Sequence, residues 1–146
     1  MTAVVVGIGQ AAAGDDGVGL VVAEALAARG FETRQAADAS VLLPLLEAAR
    51  RVVLVDAVVG GGAPGSVSRL APAQLASGPT PLSSHGLGVA EALELARTLY
   101  GEAAGSRVDI VGVAIARPSG PAFGLSAEVA AAVEPAAALA AMLAGG

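Results

Sequence analysis

Three near-continuous aliphatic runs, Val4-Val5-Val6, Val52-Val53-Leu54-Val55 and Val108 to Ile115, constrain the fold of this chain most. A strand that is apolar at successive positions has to be covered on both faces, which is the situation of an inner strand in a parallel sheet. Helical patterns fall between the runs. Val18, Val21, Val22, Ala25 and Leu26 recur at helical spacing before Gly30, and Leu42, Leu45, Leu46 and Ala49 mark a shorter helix whose start Pro44 blurs. A third helix is expected to end at Tyr100 before Gly101, and Ser126 to cap an Ala-rich fourth that Pro135 should kink or split. Phe31 to Gln35 alternates as a more exposed strand would, and Ser66 to Leu70 reads as a short edge strand. Strands alternating with helices predict a doubly wound α/β fold, a three-layer α/β/α sandwich around a mostly parallel sheet of about five strands. With 146 residues, one domain over 1–146 is expected to share one core.

Composition removes several kinds of chemistry. No cysteine is present, so disulfides, thiolate metal sites and a Cys nucleophile are excluded, and a reducing cytoplasm is the expected location. The formal net charge is −5 and the eight basic residues are all scattered arginines, which argues against nucleic acid as a partner. Charged residues, Gly or Pro interrupt every apolar stretch, so no membrane span is expected, and the strand-like Met1 to Gly7 does not read as a signal peptide.

Ligands of doubly wound folds collect beyond the carboxyl ends of the strands. Asp16 and Asp56 lie just past two such ends, and His85, the single imidazole, closes an irregular stretch from Ala71 to Ser84 that can reach the same edge. Two carboxylates and a neutral imidazole suit a divalent transition ion with positions left open. Each residue also has an ordinary reading: Asp15 or Asp16 as a cap of the following helix, Asp56 as a turn-initiating residue, His85 as a structural histidine. Gly7-Ile8-Gly9-Gln10-Ala11-Ala12 satisfies the loose dinucleotide fingerprint, which keeps a Rossmann-like nucleotide-binding module as an alternative. Asp15 and Asp16 at the helix start would repel a pyrophosphate, and Asp38 lies too far along for the ribose contact. Ser83, Ser84, His85 and Asp56 supply the residue types of a serine triad, yet no G-x-S-x-G elbow presents a nucleophile, and one histidine cannot make H-E-x-x-H.

Four blocks in order carry a family resemblance over nearly the whole chain. They are Gly7-Ile8-Gly9-Gln10 with Gly14-Asp15-Asp16-Gly17-Val18-Gly19, then Val55-Asp56-Ala57 with Pro64-Gly65-Ser66-Val67, then Ser84-His85-Gly86, and finally Gly124-Leu125-Ser126. The sequence resembles the nickel-iron hydrogenase maturation endopeptidases. That resemblance implies removal of a C-terminal peptide from a hydrogenase large-subunit precursor once nickel is inserted, no nucleotide cofactor, and Asp16, Asp56 and His85 as the metal-binding, catalytic set. It further implies that the nickel arrives with the substrate. A non-catalytic metal-sensing maturation factor is a second alternative. The sequence departs from the family pattern at Gln10, where Asn is usual, and at Ala114 to Arg117, where an acidic residue and Pro often follow the last strand.

Overall fold

The computed structural model describes residues 3–72, 74, 87–118 and 120–145. Five strands, β1 (Val4–Ile8), β2 (Thr33–Ala36), β3 (Val52–Val59), β4 (Val67–Leu70) and β5 (Val108–Ile115), form one sheet in the order β2-β1-β3-β5-β4. The β2-β1, β1-β3 and β3-β5 pairs are parallel, and β4 closes the edge antiparallel to β5. The three aliphatic runs are thus adjacent inner strands.

The pleat explains why those runs have no polar alternation. Val5, Val53, Val55, Val111 and Val113 point to one face, where helices α1 (Val18–Ala27) and α4 (Ala127–Leu143) cover them. Val4, Val6, Val52, Leu54 and Ile110 point to the other, beneath α2 (Leu42–Glu47) and α3 (Val89–Tyr100). Both clusters are aliphatic, as a chain with 2% aromatic residues requires, and among the described residues no polar or charged residue is buried. Burial of this kind is worth ~0.8 kcal/mol per methylene, so two well-filled layers of Val and Ala replace the large contributions of aromatic rings.

Glycines let the layers close. A methyl group at Gly7 would overlap the carbonyl oxygen of Gly19 and the Ala23 side chain, and one at Gly19 would overlap the Val55 carbonyl oxygen. These positions bring α1 down onto β1 and β3, so the G-x-G of the first block serves close packing.

Four local expectations need correction. β3 does not end at Val55; it continues through Asp56 to Val59, because Asp56 to Val59 keep pairing with Gly112 to Ile115 after β1 has ended. Neither Asp15 nor Asp16 caps α1, since both sit inside a 3-10 turn, Gly14–Gly17, that precedes it. Pro135 does not split α4, which runs unbroken from Ala127 to Leu143. Ala131, whose carbonyl loses its helical donor, is exposed along with Pro135, so water can take the donor's place. The fourth is the strand expected over Phe31 to Gln35, which is shifted to Thr33–Ala36 by the turn that ends α1. Ser126 does cap α4, its hydroxyl accepting from the Val129 N–H.

Candidate functional site

The site is set by where β1 stops. Its residues Val4 to Gly7 pair with Val52 to Val55, so Asp56 is the first residue of β3 not paired with β1, and the chain leaving β1 passes beside β3 through the 3-10 turn. By the alternation of the strand, Asp56 shares the face of Val52 and Leu54, toward α2 and α3. Asp16 enters the same neighbourhood from that turn.

Both carboxylates are partly buried, and their hydrogen bonds are local. Gln10 N–H donates to Asp16 Oδ2 at 2.9 Å, and Ala57 N–H donates to Asp56 Oδ1 at 2.9 Å. Among the described residues the other oxygen of each has no hydrogen-bond partner and no arginine pairs with either acid. Burial pushes the Asp56 carboxyl up from 3.8 to about 7, the nearby charge of Asp16 adds to the rise, and the Ala57 N–H opposes it. Asp16 is also raised, by burial, against the pull of the Gln10 N–H. Two half-buried acids, the charge of one disfavouring ionisation of the other, each with an oxygen to spare and no cation beside them among the described residues, are suited to a divalent cation.

Gln10 holds Asp16 through its main chain, so the Asn-to-Gln departure leaves that contact intact; its side-chain amide reaches the Ala37 carbonyl at a long 3.5 Å. His85, Ser83 and Ser84 lie outside the described residues. The helix that follows them, α3, begins at Val89 on the face to which Asp56 points. Among the described residues no three of His, Cys, Asp and Glu cluster as a metal site. Asp38, the residue weighed for a ribose contact, has its Oδ1 engaged by the Ser40 N–H at 2.9 Å and hydroxyl at 2.6 Å.

Asp15 has a role that helix-cap reasoning missed. Its carboxylate accepts from the Ser126 N–H at 2.6 Å and from the Ser126 hydroxyl at 2.8 Å, tying the first block to the last across the C-terminal end of the sheet. The Gly14 N–H and Ala122 carbonyl, 2.8 Å apart, and the Ala122 N–H and Ala12 carbonyl, 3.1 Å apart, complete the clasp. The sequence offered the two motifs, and only the fold could show that they meet.

The sequence model for the HycI hydrogenase maturation proteases matches residues 36–142, more than half of the chain. The chain belongs to the hydrogenase maturation protease family. It is therefore a peptidase of hydrogenase maturation, and its fold agrees with solved members. The hydrogenase maturation protease HybD of Thermococcus kodakarensis superposes with a TM-score of 0.75 at 24% identity, with 99% of each chain covered. The maturating endopeptidase HybD of E. coli gives 0.75 at 24%, covering 98% of this chain and 91% of its own. HycI of Thermococcus kodakarensis gives 0.69 at 25%, covering 99% and 91%. Among curated proteins no match is found. No helix of the described residues is long and apolar enough to cross a membrane.

Proposed function

We propose that this peptidase removes the C-terminal extension of a nickel-iron hydrogenase large-subunit precursor after nickel insertion, and that Asp16, Asp56 and His85 meet the nickel which the precursor carries. The observation that supports it best is the pair of half-buried carboxylates at the end of β1, Asp16 and Asp56, which have no counterion among the described residues. A buried acid pair is costly to keep, and a divalent ion delivered by the substrate removes the cost by favouring both ionised forms. Loading of the precursor and assembly of the site then become one event. Nickel held there would supply Lewis acidity toward the scissile carbonyl, and whichever of Asp16 and Asp56 keeps an oxygen off the ion would manage a proton. The enzyme acts as a single domain in the cytoplasm, without a nucleotide and without a nucleic-acid partner.

The fate of the glycines supports this reading over the nucleotide-binding one. Gly7 and Gly19 are used for helix-to-strand packing, a methyl group at Gly9 would overlap the Asp16 carbonyl oxygen, and the turn where a pyrophosphate would rest carries Asp15 and Asp16. The test is a gel shift of nickel-loaded precursor from the same organism on incubation with the purified protein. Conversion to a shorter form is expected from the wild type, and none from Asp16→Asn or Asp56→Asn. An intact precursor after incubation with folded wild-type protein would refute the activity.

A further inference from the structure

Around Asp15, at the C-terminal end of β5, lies a cleft of about 240 Å³ lined by residues 13–15, 116–118, 120, 122, 124 and 126. Its walls are clasped by the Asp15–Ser126 and Gly14–Ala122 hydrogen bonds, so its shape is set before anything binds. Ala13, Gly14, Ala116, Ala122 and Gly124 line it with methyl groups and open backbone, which leaves room for an extended peptide.

Two features make the cleft asymmetric. The first is charge. Both oxygens of Asp15 accept hydrogen bonds from Ser126, whereas Arg117 has neither an ion pair nor a hydrogen bond among the described residues. Six of the eight arginines, at positions 29, 34, 50, 51, 69 and 97, are paired with acids. A chain with net charge −5 has acids in excess, yet among the described residues Arg107 and Arg117 have no acid partner, and Arg117 is the one of the two that lines this cleft. The second feature is Phe123, one of only two phenylalanines, which is 88% exposed on the loop that forms the cleft wall. An aromatic side chain that contributes nothing to the core and stands beside a concave, preformed surface has the character of an anchor for a partner.

We infer that this cleft receives a segment of the precursor, with Arg117 pairing a carboxylate of that segment and Phe123 covering an apolar side chain next to it. The inference rests on the proposed precursor activity and adds the part of the substrate that is read away from the nickel. Arg117 and Phe123 are specificity determinants; neither touches the acid pair. The carboxylate is an acidic side chain near the cleavage point or the precursor's own C-terminus.

The test uses the full chain and nickel-loaded precursor. Arg117→Glu and Phe123→Ala should each raise KM about tenfold, with kcat changed less than about twofold and an unchanged Tm, since neither side chain holds the fold together. Capture of the enzyme on immobilised precursor should weaken with added salt for the wild type and much less for Arg117→Gln. Replacing precursor acids by Lys one at a time should restore KM with Arg117→Glu if a side chain is read. If the terminus is read, extra residues appended to it should bring the wild type to the level of Arg117→Glu. Unchanged KM in both enzyme variants, or a loss confined to kcat, overturns the inference while cleavage by the wild type keeps the proposed activity. Failure of both precursor arms overturns the carboxylate pairing. Failure of the wild type to cleave at all removes the activity and this inference with it.

Discussion

Replacing Asp56 by Asn should destroy processing and make the protein more stable, with both effects depending on pH. The side chain keeps its shape, and the amide oxygen can still accept from the Ala57 N–H. What disappears is the cost of ionising a partly buried acid beside Asp16. A carboxyl moved from 3.8 to about 7 corresponds to about 4 kcal/mol between its protonated and ionised forms, and solvent screening of the exposed part leaves about 2–4 kcal/mol. The folded chain retains the Asp56 proton where the unfolded chain has released it. Stability from this group is therefore fully present below about pH 3.8, lost as pH rises toward about 7, and constant above that. Asp56→Asn should match the wild type near pH 3.8 and exceed it at pH 8. The assay is urea denaturation at a series of pH values, read as the difference in unfolding free energy. An unchanged or lower stability of the variant at pH 8 would refute the reasoning, because Asp56 would then not be a strained acid. If nickel binds, the same linkage requires proton release, so cleavage should weaken as pH falls through about 7.

Three further outcomes follow from the fold and the site. Gly7→Ala forces a methyl group into the Gly19 carbonyl oxygen and should cost about 3 kcal/mol or more, seen as a lower denaturation midpoint, since both contacting groups are buried. Ala49, the one non-glycine residue with positive φ (58°) among the described residues, ends α2 in a left-handed conformation; Ala49→Gly should raise stability by up to about 1 kcal/mol in thermal melts. His85→Ala should abolish processing with Tm unchanged, and a variant that processes normally would remove the imidazole from the proposed set.

Much of the architecture was legible because one physical demand wrote it into the sequence. A strand covered on both faces cannot alternate, so Val4 to Val6, Val52 to Val55 and Val108 to Ile115 announced inner parallel strands, and they are neighbours in the sheet. The end of β3 was not legible from the run alone, since Asp56 interrupts the apolar pattern while Val58 and Val59 continue to pair with β5. The position of Asp16 and Asp56 at the end of β1 could be anticipated from topology. Their mutual influence could not, because it depends on the 3-10 turn passing beside β3. Asp15 illustrates the limit most clearly. An acid before a helix has the local pattern of a cap, but its partners are the N–H and hydroxyl of Ser126, 111 residues away. No local rule reaches that far.

If Asp16 and Asp56 read nickel already held by the substrate, the mass of the precursor after incubation with the enzyme should depend on whether nickel has been loaded. Loss of the C-terminal peptide is expected from the loaded precursor alone, abolished by Asp16→Asn and by Asp56→Asn. Equal cleavage of the nickel-free precursor, or full activity in either variant, would contradict it.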